Sequence, residues 1–331
     1  MQVCRETRRK YEKDVIVKCK DQPKLFYRFV NNKVKHRQEL EKLRKGGVEY
    51  TEEAEMAEIM NEHFKSVFTR ENINPSDIDW EEKVPPMKEI EVTKNEIMEH
   101  LSNLDVRKSH GPDDIANWIL RECRNELADK IHNLINSSLK DGKVPEDWKR
   151  ANIVPIYKGG SKEEPTNYRP VSLTSTIAKI CERIIKSRWV KHLEKNKLLN
   201  QSQFGFRQGR SCVTNLICFY SRLIDIIQER DGWADCAYLD LKKAFDKVPH
   251  KKLLKKLETA GGIQGRLLDW MEDFLQERKM RVVIRDQYSN WNEVISGVPQ
   301  GTVLAPIMFA IYINDMNKGI ESYMSFFADD A

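Results

Sequence analysis

The sequence predicts an α+β fold, and three of its features carry that expectation. Stretches with helical periodicity and short apolar runs of strand length both occur, without the regular strand–helix–strand rhythm of a parallel sheet. No internal repeat or low-complexity tract points to a solenoid or a disordered chain. With 331 residues, 40% of them hydrophobic, the chain can build one large core or two modest ones.

The elements follow in order. Residues 1–45 hold 15 Lys/Arg against 6 Asp/Glu, a net of +9, with scattered apolar positions such as Val15, Ile16, Leu25 and Phe29. They read as a basic helical arm broken near Pro23, either a solvated connector or a segment that touches phosphates. Gly46-Gly47 marks a turn. Residues 46–105 reverse the balance, with 5 Lys/Arg against 16 Asp/Glu. Within them, Thr51 to Phe68 reads as an acidic amphipathic helix with Met56, Ile59, Met60, Phe64 and Phe68 on one face. Residues 70–88, with Pro75, Pro85 and Pro86, are the best candidate boundary, so 1–88 is expected to be a helical connector, basic then acidic.

Thr93 to Glu96 is a capping box, and a helix should follow through Leu104. Helices are expected over 113–140, 174–198 and 214–229. Arg169 precedes a proline and should be extended. Beyond residue 230 the elements shorten. Ala234 to Leu241 reads as an apolar strand, Lys243 to Val248 as a turn or short helix, and Leu267 to Gln276 as a helix. Met280 to Arg285 and Trp291 to Ile295 read as strands around a turn. Pro306 to Asn314 reads as an apolar helix, and Tyr323 to Ala328 as a strand running into Asp329-Asp330.

Composition excludes several classes. The seven cysteines are odd in number and form no C-x-x-C pair, so neither a disulfide framework nor a zinc knuckle is written here. No signal peptide and no apolar run of about 18 residues occurs. The protein is expected to be soluble and intracellular. A net charge of +5 is mildly basic and weak evidence for a nucleic-acid partner.

The chemistry concentrates at two strand ends. Ala237-Tyr238-Leu239-Asp240 and Phe326-Phe327-Ala328-Asp329-Asp330 each carry an apolar run into carboxylates. Carboxylates brought together at partly buried strand ends repel one another and need a compensating cation, which hard divalent ions supply. Two such ions held by acids from two strands are the machinery of in-line nucleotidyl transfer. Alone, either motif is an ordinary turn; their company decides.

Leu239-Asp240-Leu241-Lys242-Lys243-Ala244-Phe245-Asp246 is similar to motif A of retroelement polymerases. Ser296-Gly297-Val298-Pro299-Gln300-Gly301-Thr302-Val303-Leu304-Ala305-Pro306 is similar to motif B, and Phe327-Ala328-Asp329-Asp330 to motif C. Upstream, Gly111-Pro112-Asp113, Ile153-Val154-Pro155-Ile156-Tyr157-Lys158 and Asn167-Tyr168-Arg169-Pro170-Val171-Ser172-Leu173 resemble the fingers blocks. Gln203-Phe204-Gly205-Phe206-Arg207 with Gly209-Arg210-Ser211 resembles the block that follows them. Over roughly residues 90–331 the chain resembles the reverse transcriptases of non-LTR (LINE-type) retrotransposons.

The resemblance implies a right-hand polymerase, with fingers and adjoining palm helices over 89–230, and a partial palm over 231–331. The thumb is expected to be absent. It implies an RNA-directed DNA polymerase that adds dNTPs to a primer 3′-OH on an RNA template. Two Mg²⁺ ions would serve it, with Mn²⁺ as the substitute ion. Its partners would be template RNA, target DNA as primer and dNTPs, with no membrane. It would work as a ribonucleoprotein in the nucleus, the cytoplasm or both.

By the same resemblance Asp240 and Asp329 are the metal ligands, Asp330 an auxiliary one, and the Leu241 carbonyl a further oxygen. Phe245, five residues past Asp240, would lie beneath the incoming sugar and exclude a 2′-OH, which argues against a viral RNA polymerase. Gln300 and Gly301 would approach the nucleotide. Arg169, with Lys158 or Lys162, would grip its triphosphate, Arg as a bidentate donor and Lys as a point charge. Arg207 and Arg210 would touch the template backbone, with Phe204 and Phe206 packed beneath them. Asp246 is expected to cap the helix after motif A.

The chain stops at Ala331, where the resembling enzymes continue with a second hairpin strand, primer grip and thumb. A truncated, weak or inactive polymerase is therefore expected. The alternative is a non-catalytic nucleic-acid-binding remnant, salt-sensitive in binding and indifferent to Asp240→Ala.

Overall fold

The computed structural model describes residues 16–17, 40–70, 84–229 and 232–328. The expected basic arm lies almost wholly outside them, and so do Asp329 and Asp330.

The first described elements form a hairpin, β1 (Leu43–Lys45) and β2 (Val48–Tyr50), turning at Gly46-Gly47. Helix α1 (Glu53–Lys65) buries Met56, Ile59, Met60 and Phe64, one face at helical spacing. Helix α2 (Lys94–Ser102) starts on the expected capping box. Glu96 N donates to Thr93 Oγ1 (3.3 Å), and Thr93 N donates to the Glu96 carboxylate (3.0 Å).

The helix expected over 113–140 is two helices, α3 (Asn117–Glu122) and α4 (Arg124–Asp141). It starts late because Asp114 sits in the left-handed region (φ 53°), through which a right-handed helix does not run. Strand β3 (Arg150–Tyr157) and strand β4 (Tyr168–Leu173) follow, then α5 (Thr176–Lys195) and α6 (Cys212–Gln228). A 3₁₀ turn (Ala244–Lys247) leads to α7 (His250–Thr259) and α8 (Gly265–Leu275). Strands β5 (Lys279–Ile284), β6 (Gln287–Tyr288) and β7 (Asn292–Glu293) precede α9 (Ala305–Tyr312).

The main sheet runs β4-β3-β5-β6, with β7 also on β5. Strands β3 and β4 are antiparallel, pairing Pro155 with Pro170 and Ile156 with Arg169. Strands β3 and β5 are parallel, pairing Ala151 with Met280. Side chains alternate across a strand, so Ala151, Ile153, Tyr168, Met280 and Val282 share one face, and α1 packs on it. Helix α1 thus lies on the sheet although it precedes the expected boundary near residue 88. Strand β5, from beyond residue 230, shares that sheet with β3 and β4.

A second, larger core gathers α2, α4, α5, α7, α8 and α9 around Trp189, Trp270, Phe274 and Phe309. Both buried indoles find acceptors, Trp189 Nε1 in the Gly261 carbonyl and Trp270 Nε1 in Ser138 Oγ, each at 2.9 Å.

Two expected strands are not formed. Residues 233–240 are exposed, with Asp240 in a lone bridge, so Asp240 is not the tip of a buried strand. Segment 325–328 turns instead to residues 202–204: Phe326 N donates to Ser202 O and Phe204 N to Phe326 O, both at 2.8 Å. An apolar run becomes a strand only when a neighbour takes its backbone groups along its length, and here Asp240, Phe326 and Phe327 hold isolated bridges only. Helix α6 shows the same want of cover. It carries Val213, Leu216, Ile217, Tyr220, Ile224 and Ile227, yet none of its residues is buried.

Candidate active site

A cleft of about 520 Å³ opens between α1, the β3–β4 hairpin, the segment 240–246 and the loop 296–304. Into it the fold brings Asp240, Leu241 and Phe245 from the first block, Lys158 and Arg169 from the sheet, and Gln300 and Gly301 from the loop. These residues are far apart in sequence and meet because β4 and the loop are stitched together. Ser172 N donates to Gln300 O at 2.8 Å. Gly301 has φ +104°, and a Cβ there would lie 2.7 Å from Ser172 O, so only glycine allows this approach.

The loop is also laced to the turn after Asp240. Gly297 N donates to Val248 O and Val298 N to Phe245 O, each at 2.8 Å. Ser296 Oγ donates to Asp246 O at 2.9 Å, and Gln300 Nε2 to Asp246 Oδ1 at 2.8 Å. Asp246, expected as a helix cap, instead spends its carboxylate on the loop. Burial raises its pKa above the ordinary aspartate range, opposed by the Gln300 hydrogen bond and the Lys243 charge.

An acid whose folded pKa is raised disfavours the folded state wherever it is ionised, and the deficit vanishes as pH falls through that folded pKa toward the unfolded value. Asp246→Asn keeps an oxygen for Gln300 and removes the charge. The variant should be more resistant to denaturant than the wild type at neutral pH, and the gap should close in the ordinary aspartate range. Urea midpoints measured at both pH values check this.

The cleft is cationic. Burial lowers the pKa of His63, and Lys243 and Lys158 lower it further. Burial likewise lowers that of Lys243; Asp246 opposes the shift, while Lys158, Lys242 and Lys247 add to it. Cations that depress one another in this way favour an anion between them.

The structure separates the two candidate lysines. Lys158 lines the cleft, whereas Lys162 lies with its ammonium 5.9 Å from the Tyr157 ring centroid and is not part of the lining. Phe245 stacks on Phe309 (centroids 4.4 Å apart, planes at 19°), and Phe206 meets it edge-on at 6.1 Å.

Asp240 is exposed, and no hydrogen bond or ion pair among the described residues engages its carboxylate. The Leu241 carbonyl accepts Ala244 N at 3.2 Å, which leaves it a second lone pair. The described residues contain no cluster of three or more His, Cys, Asp or Glu able to hold a metal. Asp329 and Asp330 of the expected metal set lie outside them.

The approach to that pair is described as far as Ala328. Gln203 Oε1 accepts both Ala328 N (3.1 Å) and Gly205 N (2.7 Å). A Cβ on Gly205 would fall 2.3 Å from Ala328 N. The turn 203–206 therefore touches Ala328 through Gly205 and Phe245 through Phe206. The sequence places Gly205 in the block Gln203–Arg207 but gives it no role of its own.

Arg207 and Arg210 do not reach outward as expected. The Arg207 side chain is 6% exposed and holds Glu194 with two bonds, Nε–Oε1 at 3.1 Å and Nη2–Oε2 at 2.9 Å, while Nη1 donates to Asn200 O. Arg210 donates to the Gln201 and Gln203 carbonyls and stacks over Phe204 at 4.8 Å. These bonds hold the turn together, a structural role beside the expected template contact. Arg207→Ala should cost about 1–3 kcal/mol of stability, because the fork is nearly buried and Glu194 loses its partner. A double-mutant cycle with Glu194→Ala checks it; a primary template role would instead show as weaker RNA binding at unchanged stability.

Residues 156–331 match the family described as reverse transcriptase (RNA-dependent DNA polymerase). The chain is 31% identical over 232 residues to a probable RNA-directed DNA polymerase from transposon BS of Drosophila melanogaster, covering 70% of this chain and 25% of that protein. It is 30% identical over 226 residues to the RNA-directed DNA polymerase from mobile element jockey of the same species (68% and 24%). It is 29% identical over 268 residues to a probable RNA-directed DNA polymerase from transposon X-element, also of D. melanogaster (79% and 28%). The chain thus spans about a quarter of the length of these relatives. The motif order and these matches make the chain a member of the reverse transcriptase family, of the kind found in non-LTR retrotransposons.

Proposed function

We propose that this chain carries the nucleotide-binding cleft and part of the catalytic centre of an RNA-directed DNA polymerase. The reaction is addition of dNTPs to a primer 3′-OH on an RNA template. One observation carries the reading: an exposed carboxylate with no partner among the described residues, an aromatic ring, a glycine approach and a group of cations converge on one cleft. The cations Lys158 and Arg169 take the triphosphate, Phe245 lies against the sugar, and Gln300 and Gly301 bound the nucleotide from the loop. The cleft thereby orients the α-phosphorus toward the primer end, and positioning of this kind supplies much of the rate of phosphoryl transfer.

Oxygen donors at the cleft mouth suit a hard divalent ion such as Mg²⁺, or Mn²⁺ in its place. Asp240 and the Leu241 carbonyl would hold it together with Asp329 and Asp330. Bound there, it would supply charge neutralisation for the triphosphate and activation of the 3′-OH. In this reading residues 89–230 form the fingers and 231–331 the palm portion. The partners are element RNA, target DNA as primer and dNTPs, in a ribonucleoprotein of the nucleus, the cytoplasm or both. No helix among the described residues is long and apolar enough to cross a membrane.

The test is primer extension on an RNA template, with and without Mg²⁺, for the wild type and Asp240→Ala. A second reading, nucleic-acid binding without catalysis, is favoured by the exposure of 233–240, which leaves Asp240 on an uncovered segment. No incorporation by either protein, alongside salt-sensitive RNA binding, would establish that second reading, whereas equal incorporation by both would remove Asp240 from the chemistry.

A further inference from the structure

Glu182 is a buried acid that contributes nothing directly to the cleft. It lies within α5 and is 1% exposed. Its Oε2 accepts two backbone N–H groups, those of Val303 at 2.6 Å and Leu304 at 3.1 Å. A carboxylate in such a place is expensive to desolvate, and burial raises its pKa against those two hydrogen bonds and the charge of Arg278. Arg278 is buried too, and its guanidinium donates to the carbonyls of Phe274 and Trp148. An apolar side chain would fill the same space in α5 without the desolvation cost but would leave two N–H groups unmet.

What Glu182 holds is the far end of the loop 296–304. The near end is held by Gly297 N and Val298 N on the turn 245–248. Gln300 and Gly301 lie between the two anchors, and a shift at 303–304 is passed to them along a short, tightly bonded segment. We infer that Glu182 is a positioning residue for nucleotide binding: by taking the Val303 and Leu304 N–H groups it sets where Gln300 and Gly301 meet the incoming nucleotide. The inference rests on the proposed role of the cleft.

The experiment compares wild type, Glu182→Gln and Glu182→Ala in the full chain. It reads KM and kcat for dNTP incorporation separately, together with amide hydrogen exchange across 296–304. The Gln carbonyl can accept both N–H groups, so Glu182→Gln should stay within about twofold of wild type. Glu182→Ala should raise the dNTP KM about tenfold with faster exchange confined to the loop, on the scale of a lost helix cap. If it does not fold, Glu182→Asp serves, since it keeps the charge and withdraws the oxygen by one methylene.

An unchanged KM with only a smaller active fraction would mean a purely structural acid and overturn the inference. Equal damage from Glu182→Gln and Glu182→Ala would overturn it as well, because charge rather than the acceptor would then matter. If the wild type incorporates no dNTP, the polymerase reading fails on its own and exchange decides the anchor. Acceleration confined to 296–304 in Glu182→Ala, and absent from Glu182→Gln, upholds it; uniform acceleration overturns it.

Discussion

Replacing Asp240 by Ala should lower dNTP incorporation by about three orders of magnitude, the scale on which a charge-stabilising group acts in a transition state. Stability should change by less than about 0.5 kcal/mol, because the side chain is exposed and bonded to nothing among the described residues. Asp240→Asn, which keeps the shape and loses the charge, should be nearly as damaging. That combination of a large kinetic loss and an unmoved unfolding midpoint distinguishes a metal-binding acid from a structural one. The assay is single-nucleotide extension at saturating Mg²⁺, paired with urea denaturation of each variant. Wild-type rates in Asp240→Ala would remove this carboxylate from the chemistry.

Phe245→Val should open the cleft to ribonucleotides. The ring is held between Phe309, stacked at 4.4 Å, and Phe206, edge-on at 6.1 Å. It therefore has no free rotation with which to yield to a 2′-OH, and discrimination rests on a rigid wall. Removing the ring should reduce the dNTP-over-rNTP preference in kcat/KM by about 10–100-fold, the range a hydrophobic pocket commands for a small group. Incorporation of dNTPs should fall much less. Competing dTTP and UTP analogues on one primer–template would measure the ratio. An unchanged ratio would make Phe245 a core aromatic that happens to line the cleft.

Much of the architecture was legible because its causes are local. The face of α1 and the capping box of α2 are written in spacing and residue type alone. The limits of α5, α6 and α9 fall within a few residues of their expected places, since periodicity and proline set them. The left-handed Asp114 carried no such signal, so the helix expected from residue 113 starts only at Asn117, and the break at Cys123 that divides it was equally silent. The strands expected at 234–241 and 323–328 had the right composition, but a strand is a property of a pair.

At the cleft the same division holds. Residue types and order alone determined which blocks carry carboxylates, cations and glycine turns, and with them the family. Tertiary structure alone decided that Lys158 rather than Lys162 faces the cleft, that Arg207 turns to Glu194, and that Asp246 serves Gln300. It also placed Glu182 beneath Val303, 121 residues away along the chain. The physical reason is the reach of each interaction. Helix periodicity, caps and turns act over a few residues and leave their mark in sequence, whereas the partner of a long polar side chain is chosen by whatever packing brings within about 3 Å.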